Sequence, residues 1–297
     1  MEVIVADNAG FCFGVKRAIK MANETLDQAP GRVKSFGQLI HNPQVVSSFA
    51  KRGLEVVAEP DTIAAEDTVI IRSHGVGPDV KEDVLGRALK VIDTTCPFVT
   101  KAQDYAKRLI DEGYRVVMIG DKNHPEVIGV VAHTNGQAIV LNSVKEAEAL
   151  RFLPRMGVVF QTTHSIGHVQ EIVGALLKRG KEIRVFNTLC GATTSMQRTA
   201  IELAPSVDAM VVVGGRQSAN TAQLTEVIRR VNPRVWQVES AAEIREDWFR
   251  QVQRVGVTAG ASTPDEVIAD VVDRITRIDP AEAGHPNGTT GPEGRTS

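Results

Sequence analysis

Short β-branched runs alternate with amphipathic stretches along most of the chain. That alternation predicts parallel strands covered by helices, an α/β fold. Residues 3–6, 33–37, 68–72, 116–119, 157–160, 209–213 and 255–258 read as strands. Apolar positions recurring every three or four residues predict helices over 15–26, 99–112, 169–179, 221–231 and 264–278.

What ends the strands repeats as well. "VKSFG" runs into "QLIHNPQVV", "VVMIG" into "DKNHPEVIG" and "MVVVGG" into "RQSANTAQL", each a glycine, a polar cluster and an amphipathic helix. His41, His124 and Ser218 thereby stand 29, 28 and 28 residues after Cys12, Cys96 and Cys190. A second polar corner lies further on in each unit: Ser73 and His74 in "RSHGVGP", Thr162 in "QTTHS", Ser262 in "AGASTP". An internal repeat of this kind fixes architecture before any detail does. It predicts three successive α/β modules, 1–95, 96–188 and 189–278, related by a pseudo-threefold axis around a central cavity. Ligands in such folds gather at the carboxyl ends of the strands. The Pro/Gly/Thr-rich end, 279–297, lacks hydrophobic periodicity and reads as a disordered tail.

At 297 residues the chain has room for several compact units. A net charge of -2 and 4% aromatics provide neither a basic footprint nor a stacking platform for nucleic acid. No apolar run approaches the roughly 20 residues of a membrane span. The opening "MEVIVADNAG" reads as a strand rather than a basic, apolar leader, which predicts a cytoplasmic protein with no membrane partner. Three cysteines without a C-x-x-C pair argue against a disulfide framework and leave buried thiols, catalysis or metal.

Each cysteine precedes a helical pattern, in "GFCFGVKRAI", "DTTCPFVTK" and "NTLCGATT". A helix N-terminus favours the thiolate, the form that binds metal. Modules packed round one axis would set the three thiols on the floor of the cavity. His41, His74, His124, Glu126, Thr162, Ser218, Asn220 and Ser262 would line its walls. Three thiolates are one short of a closed zinc site or a fully ligated cubane. They fit an iron–sulfur cluster with one iron open to substrate or, with one histidine, a structural zinc. Separations of 84 and 94 residues suit a central cofactor better than a local zinc knuckle. The walls suit an anion such as phosphate. The imidazole and carboxylate of "HPE", with the Thr162 hydroxyl, form a candidate proton relay. Taken singly, each corner also has a purely structural reading, since "NHPEV", "SANT" and "ASTPDE" are good helix starts without any ligand. Capping alone, however, does not ask for three cysteines at matching places.

In combination and order, "GFCFGVKRAI", "HNPQVV", "RSHGV", "DTTCPFVTK", "GDKNHPEVIG", "QTTHS", "GGRQSANT" and "VGVTAGASTPD" resemble the 4-hydroxy-3-methylbut-2-enyl diphosphate reductase (LytB) family, from about residue 3 to 275. The resemblance implies an oxygen-sensitive 4Fe-4S cluster on Cys12, Cys96 and Cys190. It implies an allylic diphosphate substrate held by His41, His74, His124, Thr162, Ser218, Asn220 and Ser262. It assigns proton delivery to Glu126 with Thr162 and His124, and electron supply to a ferredoxin or flavodoxin. The implied reaction is a two-electron reductive dehydroxylation yielding isopentenyl and dimethylallyl diphosphates.

Several positions depart from the family pattern. Gly191 stands for an aromatic or acidic residue, Ser195 for an asparagine and Met196 for a frequent arginine. Gln217 replaces an asparagine, Ala219 a serine and His164 an apolar residue. Ala219 removes a hydroxyl expected near the diphosphate, which predicts weaker diphosphate binding than the family norm. These differences leave open a paralogue acting on a related allylic diphosphate. A zinc-stabilised binder of phosphorylated metabolites and a scaffold with core thiols are the alternatives from other classes.

Overall fold

The structure, a computed structural model, describes residues 1–279. The expected disordered tail, apart from its first residue, lies outside the described residues. Strand β1 (Glu2–Val5) leads through Cys12 into α1 (Phe13–Gln28), β2 (Val33–Phe36), α2 (Pro43–Lys51), β3 (Leu54–Val57), β4 (Thr68–Ile71), α3 (Pro78–Arg87) and β5 (Lys90–Asp93). After Cys96 the plan repeats with α4 (Pro97–Asp111), β6 (Arg115–Ile119), α5 (Pro125–Ala132), β7 (Ile139–Leu141), α6 (Val144–Ala149), β8 (Leu153–Phe160), α7 (Ile166–Leu176) and β9 (Gly180–Val185). After Cys190 follow α8 (Gly191–Leu203), β10 (Ala209–Val213), α9 (Ala219–Arg229), β11 (Val235–Val238), β12 (Arg254–Ala259) and α10 (Asp265–Thr276).

The strands form three parallel four-stranded sheets, ordered β3-β2-β4-β5, β7-β6-β8-β9 and β11-β10-β12-β1. Parallel sheets carry helices on both faces, so their inner strands read as unbroken apolar runs. Val117 and Ile119 of β6 accordingly pack under α6 and α7, while Val116 and Met118 pack under α4 and α5. In the third sheet Val211 and Val213 face α10, and Met210 and Val212 face α8 and α9. Ile70 joins α1 and α2 in the first sheet, with Val69 and Ile71 on the opposite face towards α3.

The expected division at residue 95 misplaces the first strand. β1 pairs in parallel with β12, Val3 opposite Val255 and Val5 opposite Val257, and so belongs to the third sheet. The reason lies in the order of elements. The first two sheets are completed by a strand following their last helix, whereas the third reaches α10 and takes its fourth strand from the other end of the chain. Alternation along β1 then buries Val3 in the α10 core and Ile4 in the α8–α9 core.

Candidate active site

Each cysteine stands where the chain leaves one sheet for the next. Cys12 lies between β1 of the third sheet and α1 on the first, Cys96 between β5 and α4, and Cys190 between β9 and α8. Asp93 and Asn187 bend the chain ahead of two of them, their side chains accepting the N–H groups of Thr95 at 2.9 Å and Leu189 at 3.1 Å. All three cysteines occupy the N-cap position in extended backbone, yet none uses its side chain as a cap. The backbone anchors them instead. Cys12 donates its N–H to the Ala261 carbonyl at 3.1 Å, Cys96 to Ser73 at 2.9 Å and Cys190 to Thr162 at 2.9 Å. Those acceptors follow β12, β4 and β8, so each thiol hangs from the strand end of the module just completed.

The three unpaired thiols face one cavity. Burial pushes Cys12 and Cys96 above the usual thiol range; repulsion from neighbouring cysteines adds to this, and N–H groups at the helix starts oppose it. A β-carbon on Gly14 would lie 2.6 Å from the Cys96 sulfur and 3.9 Å from the Cys12 sulfur, so two of the thiols meet around this glycine. Among the described residues, the set of three whose ligand atoms all lie within 4.8 Å of one another is His41, His74 and His124.

The histidines come from three strand ends. His41 follows β2, His74 follows β4 and His124 caps α5 after β6. Their ring centroids lie 4.5, 5.8 and 5.3 Å apart. Burial lowers the pKa of all three, with a further push from Arg72; His74 falls well below the ordinary range and His124 falls to about 4. They are neutral imidazoles. His124 Nδ1 accepts the Glu126 N–H at 3.2 Å, which leaves the proton on Nε2. That tautomer suits an acceptor such as a phosphate oxygen rather than a metal ion. Both nitrogens of His41, Nδ1 of His74 and both amide atoms of Asn220 are buried without a partner. Buried polar groups are otherwise almost always satisfied, so this crowd of free donors describes a place for a polar ligand.

Glu126 is held by one residue. Thr162 donates its N–H to Oε1 at 2.7 Å and its hydroxyl to Oε2 at 2.8 Å. Burial still raises the carboxyl to about 7, against those two hydrogen bonds. Ser218 caps α9 by accepting the Thr221 N–H at 3.3 Å, and Ser262 donates to the His41 carbonyl at 3.3 Å, tying the third module to the first. The structure thus brings every predicted site residue to the same cavity.

The sequence reading missed some of the lining. Val15, Val99 and Thr193 all face the cavity, each three residues after a cysteine. The cysteine repeat already contained that signal, because position i+3 lies on the same helix face as the cap. Of the departures, Ala219 lines the cavity, whereas Gln217 lines a separate recess with Arg216 and Glu239. His164 is buried behind the site against His168, ring centroids 5.0 Å apart. Gly191 is exposed at the start of α8, Ser195 accepts a hydrogen bond from Asn8 at 3.4 Å, and Met196 is buried.

Residues 3–276 match the family model described as LytB protein. The chain is 46% identical over 282 residues to the 4-hydroxy-3-methylbut-2-enyl diphosphate reductase of Geobacter metallireducens, covering 95% of this chain and 99% of that protein. The enzyme of the same name from Aquifex aeolicus is 43% identical over 282 residues, covering 94% and 97%. A solved structure of (E)-4-hydroxy-3-methyl-but-2-enyl diphosphate reductase, terminal enzyme of the non-mevalonate pathway, is 42% identical, with a TM-score of 0.67 over 94% of this chain and 100% of that one. The E-1-hydroxy-2-methyl-but-2-enyl-4-diphosphate reductase of Plasmodium falciparum, 25% identical, superposes with a TM-score of 0.88 over 93% and 88%. By sequence along nearly its whole described length and by fold, the chain belongs to the LytB family.

Proposed function

We propose that the cavity carries out the two-electron reductive dehydroxylation of (E)-4-hydroxy-3-methylbut-2-enyl diphosphate to isopentenyl and dimethylallyl diphosphates. The observation that carries this reading is the placement of three thiols and a set of unpartnered polar groups around one cavity. Overall, the substrate takes two electrons and two protons and loses its hydroxyl as water.

The donor set fits a polynuclear iron–sulfur cluster. Three soft thiolates around one cavity, at seams between the three sheets, match a cluster with one iron free of protein ligand. Held by Cys12, Cys96 and Cys190, such a 4Fe-4S cluster supplies electrons singly and a Lewis-acidic position for the allylic oxygen.

The protein's own groups bind and protonate. His41, His74, Ser218, Asn220 and Ser262 would hold the diphosphate; His41, His74 and Asn220 carry buried polar atoms without a partner, and Ser218 sits at a helix start. His124, with its proton on Nε2, would donate to the same anion. Glu126, poised to ionise at about 7, would protonate the departing hydroxyl, and Thr162 would fix the direction of its carboxyl. A ferredoxin or flavodoxin would supply the electrons, in a cytoplasmic setting. Among the described residues no helix is long and apolar enough to cross a membrane.

The test is anaerobic purification followed by iron and sulfide analysis, a visible spectrum, and assay with the hydroxylated allylic diphosphate and an artificial one-electron reductant. Near-stoichiometric cluster and formation of both five-carbon products are expected. Zinc in place of iron, or cluster without turnover, would overturn the reading.

A further inference from the structure

The cavity that receives a diphosphate in this reading has neither lysine nor arginine in its lining, and its histidines are neutral. A substrate with several negative charges therefore meets almost no formal positive charge from the side chains it touches. A source close to the histidines is Arg72, whose charge lowers the pKa of all three. Arg72 follows β4 directly, two residues before His74, and its side chain runs back across the end of β2. It passes over Gly37, where a β-carbon would lie 2.7 Å from Arg72 Cδ and 3.0 Å from Cζ. Gly37 has φ +76, in the region that glycine adopts without strain, so this passage is built into the backbone.

The guanidinium is not neutralised where it sits. Its Nε is buried without a hydrogen-bond partner, the side chain as a whole is half-buried, and among the described residues no carboxylate pairs with it. The contrast within the same sheet is Lys34, more fully buried than Arg72 but paired with Asp67 at 2.9 Å and bonded to the Thr62 carbonyl. Charges taken out of water are normally paired, because leaving one uncompensated is costly. The field of Arg72 reaches His41, His74 and His124, the residues around the proposed anion.

We infer that Arg72 is a positioning residue for the substrate's diphosphate, a fixed positive charge behind the histidine wall whose missing counter-ion is the bound substrate. The inference rests on the diphosphate reading above. It makes Arg72 the residue that converts a neutral donor pocket into one selective for a multiply charged anion.

Calorimetric titration of the anaerobic holoenzyme with inorganic pyrophosphate tests it, using wild type, R72M, R72Q and R72K. Dissociation constants should rise by about tenfold or more in R72M and R72Q and stay within about threefold of wild type in R72K, since only the charge is conserved there. Ligand-free R72M should melt no lower than wild type, because it loses a half-buried charge that no carboxylate pairs with among the described residues; a structural arginine would give the opposite shift. Should R72M fail to fold, R72Q decides. Binding by R72M or R72Q within about twofold of wild type, or R72K as weak as R72M, would overturn the role of Arg72 alone. Wild-type protein that does not bind pyrophosphate would instead overturn the diphosphate reading, and this inference with it.

Discussion

Gly14 of the first helix leans on Cys96 of the next module, leaving no room for a β-carbon between the helix start and the sulfur. In cluster-free protein the thiol can rotate away, and alanine is the better helix former by about 1 kcal/mol. Gly14→Ala should therefore leave cluster-free protein as stable as wild type or more so, while lowering iron content after anaerobic reconstitution. Equal iron loading in the two proteins would show that the sulfur has more freedom than the packing allows.

The cysteine side chains cap nothing, so their loss should cost little in the empty protein. Serine is a good N-cap, worth about 1 kcal/mol over an inert residue. Cys12→Ser, Cys96→Ser and Cys190→Ser should each keep the melting temperature of cluster-free protein and lose visible colour and turnover. Thermal melts and iron analysis on the same samples separate the two effects. A fall of several degrees without loss of iron would identify a core thiol.

Glu126 ties stability to pH with a definite sign. Its ordinary value is 4.5 and its folded value about 7, so the folded protein holds the proton more tightly. That contribution is intact below pH 4.5 and is lost as pH rises to about 7, a change of about 3 kcal/mol. Glu126→Gln should be the more stable protein above neutral pH and lose turnover by about 100-fold or more. Turnover of wild type should fall as pH rises through about 7. The Thr162 hydrogen bonds lower the carboxyl, so Thr162→Val should move that falling limb to higher pH. Chemical denaturation at pH 5 and pH 8.5, with pH–rate profiles, would show whether these signs hold.

Ala219 stands on the cavity wall at the first position of α9. A hydroxyl there would add one donor or acceptor beside the bound anion, worth about 1 kcal/mol. Ala219→Ser should lower the Michaelis constant several-fold with little change in kcat. An unchanged Michaelis constant would mean that the side chain at 219 does not reach the diphosphate.

The pattern of what was legible follows the sheets. The inner strands β4, β6, β8, β10 and β12 are visible as apolar runs, because both of their faces are buried, whereas β2, "VKSF", was legible through the glycine and polar cluster that follow it. The edge strands β3, β5, β7, β9 and β11 went unread. They are short, and half-exposed sequences such as "LEVV" and "GKEIRV" mix charge with apolar residues as loops do. β1 was read correctly as a strand and assigned to the wrong sheet, since pairing across more than 250 residues leaves no local trace. The site was legible for a different reason. Glycine-ended strands and N-capping residues have fixed local signatures, and their threefold recurrence made chance unconvincing. Arg72 left no signal at all, because an arginine in sequence looks like surface until its surroundings are known.

The pairing of β1 with β12 also bears on when the site can come into being. Residues 2–5 are synthesised roughly 250 residues before their partners, a wait of roughly 13 to 50 seconds at ordinary translation rates. Through that interval the Cys12 amide has no Ala261 carbonyl to hold it. The arrangement of the three thiols is therefore a property of a chain made beyond residue 261, and a group that needs all three of them would be taken up only after that point.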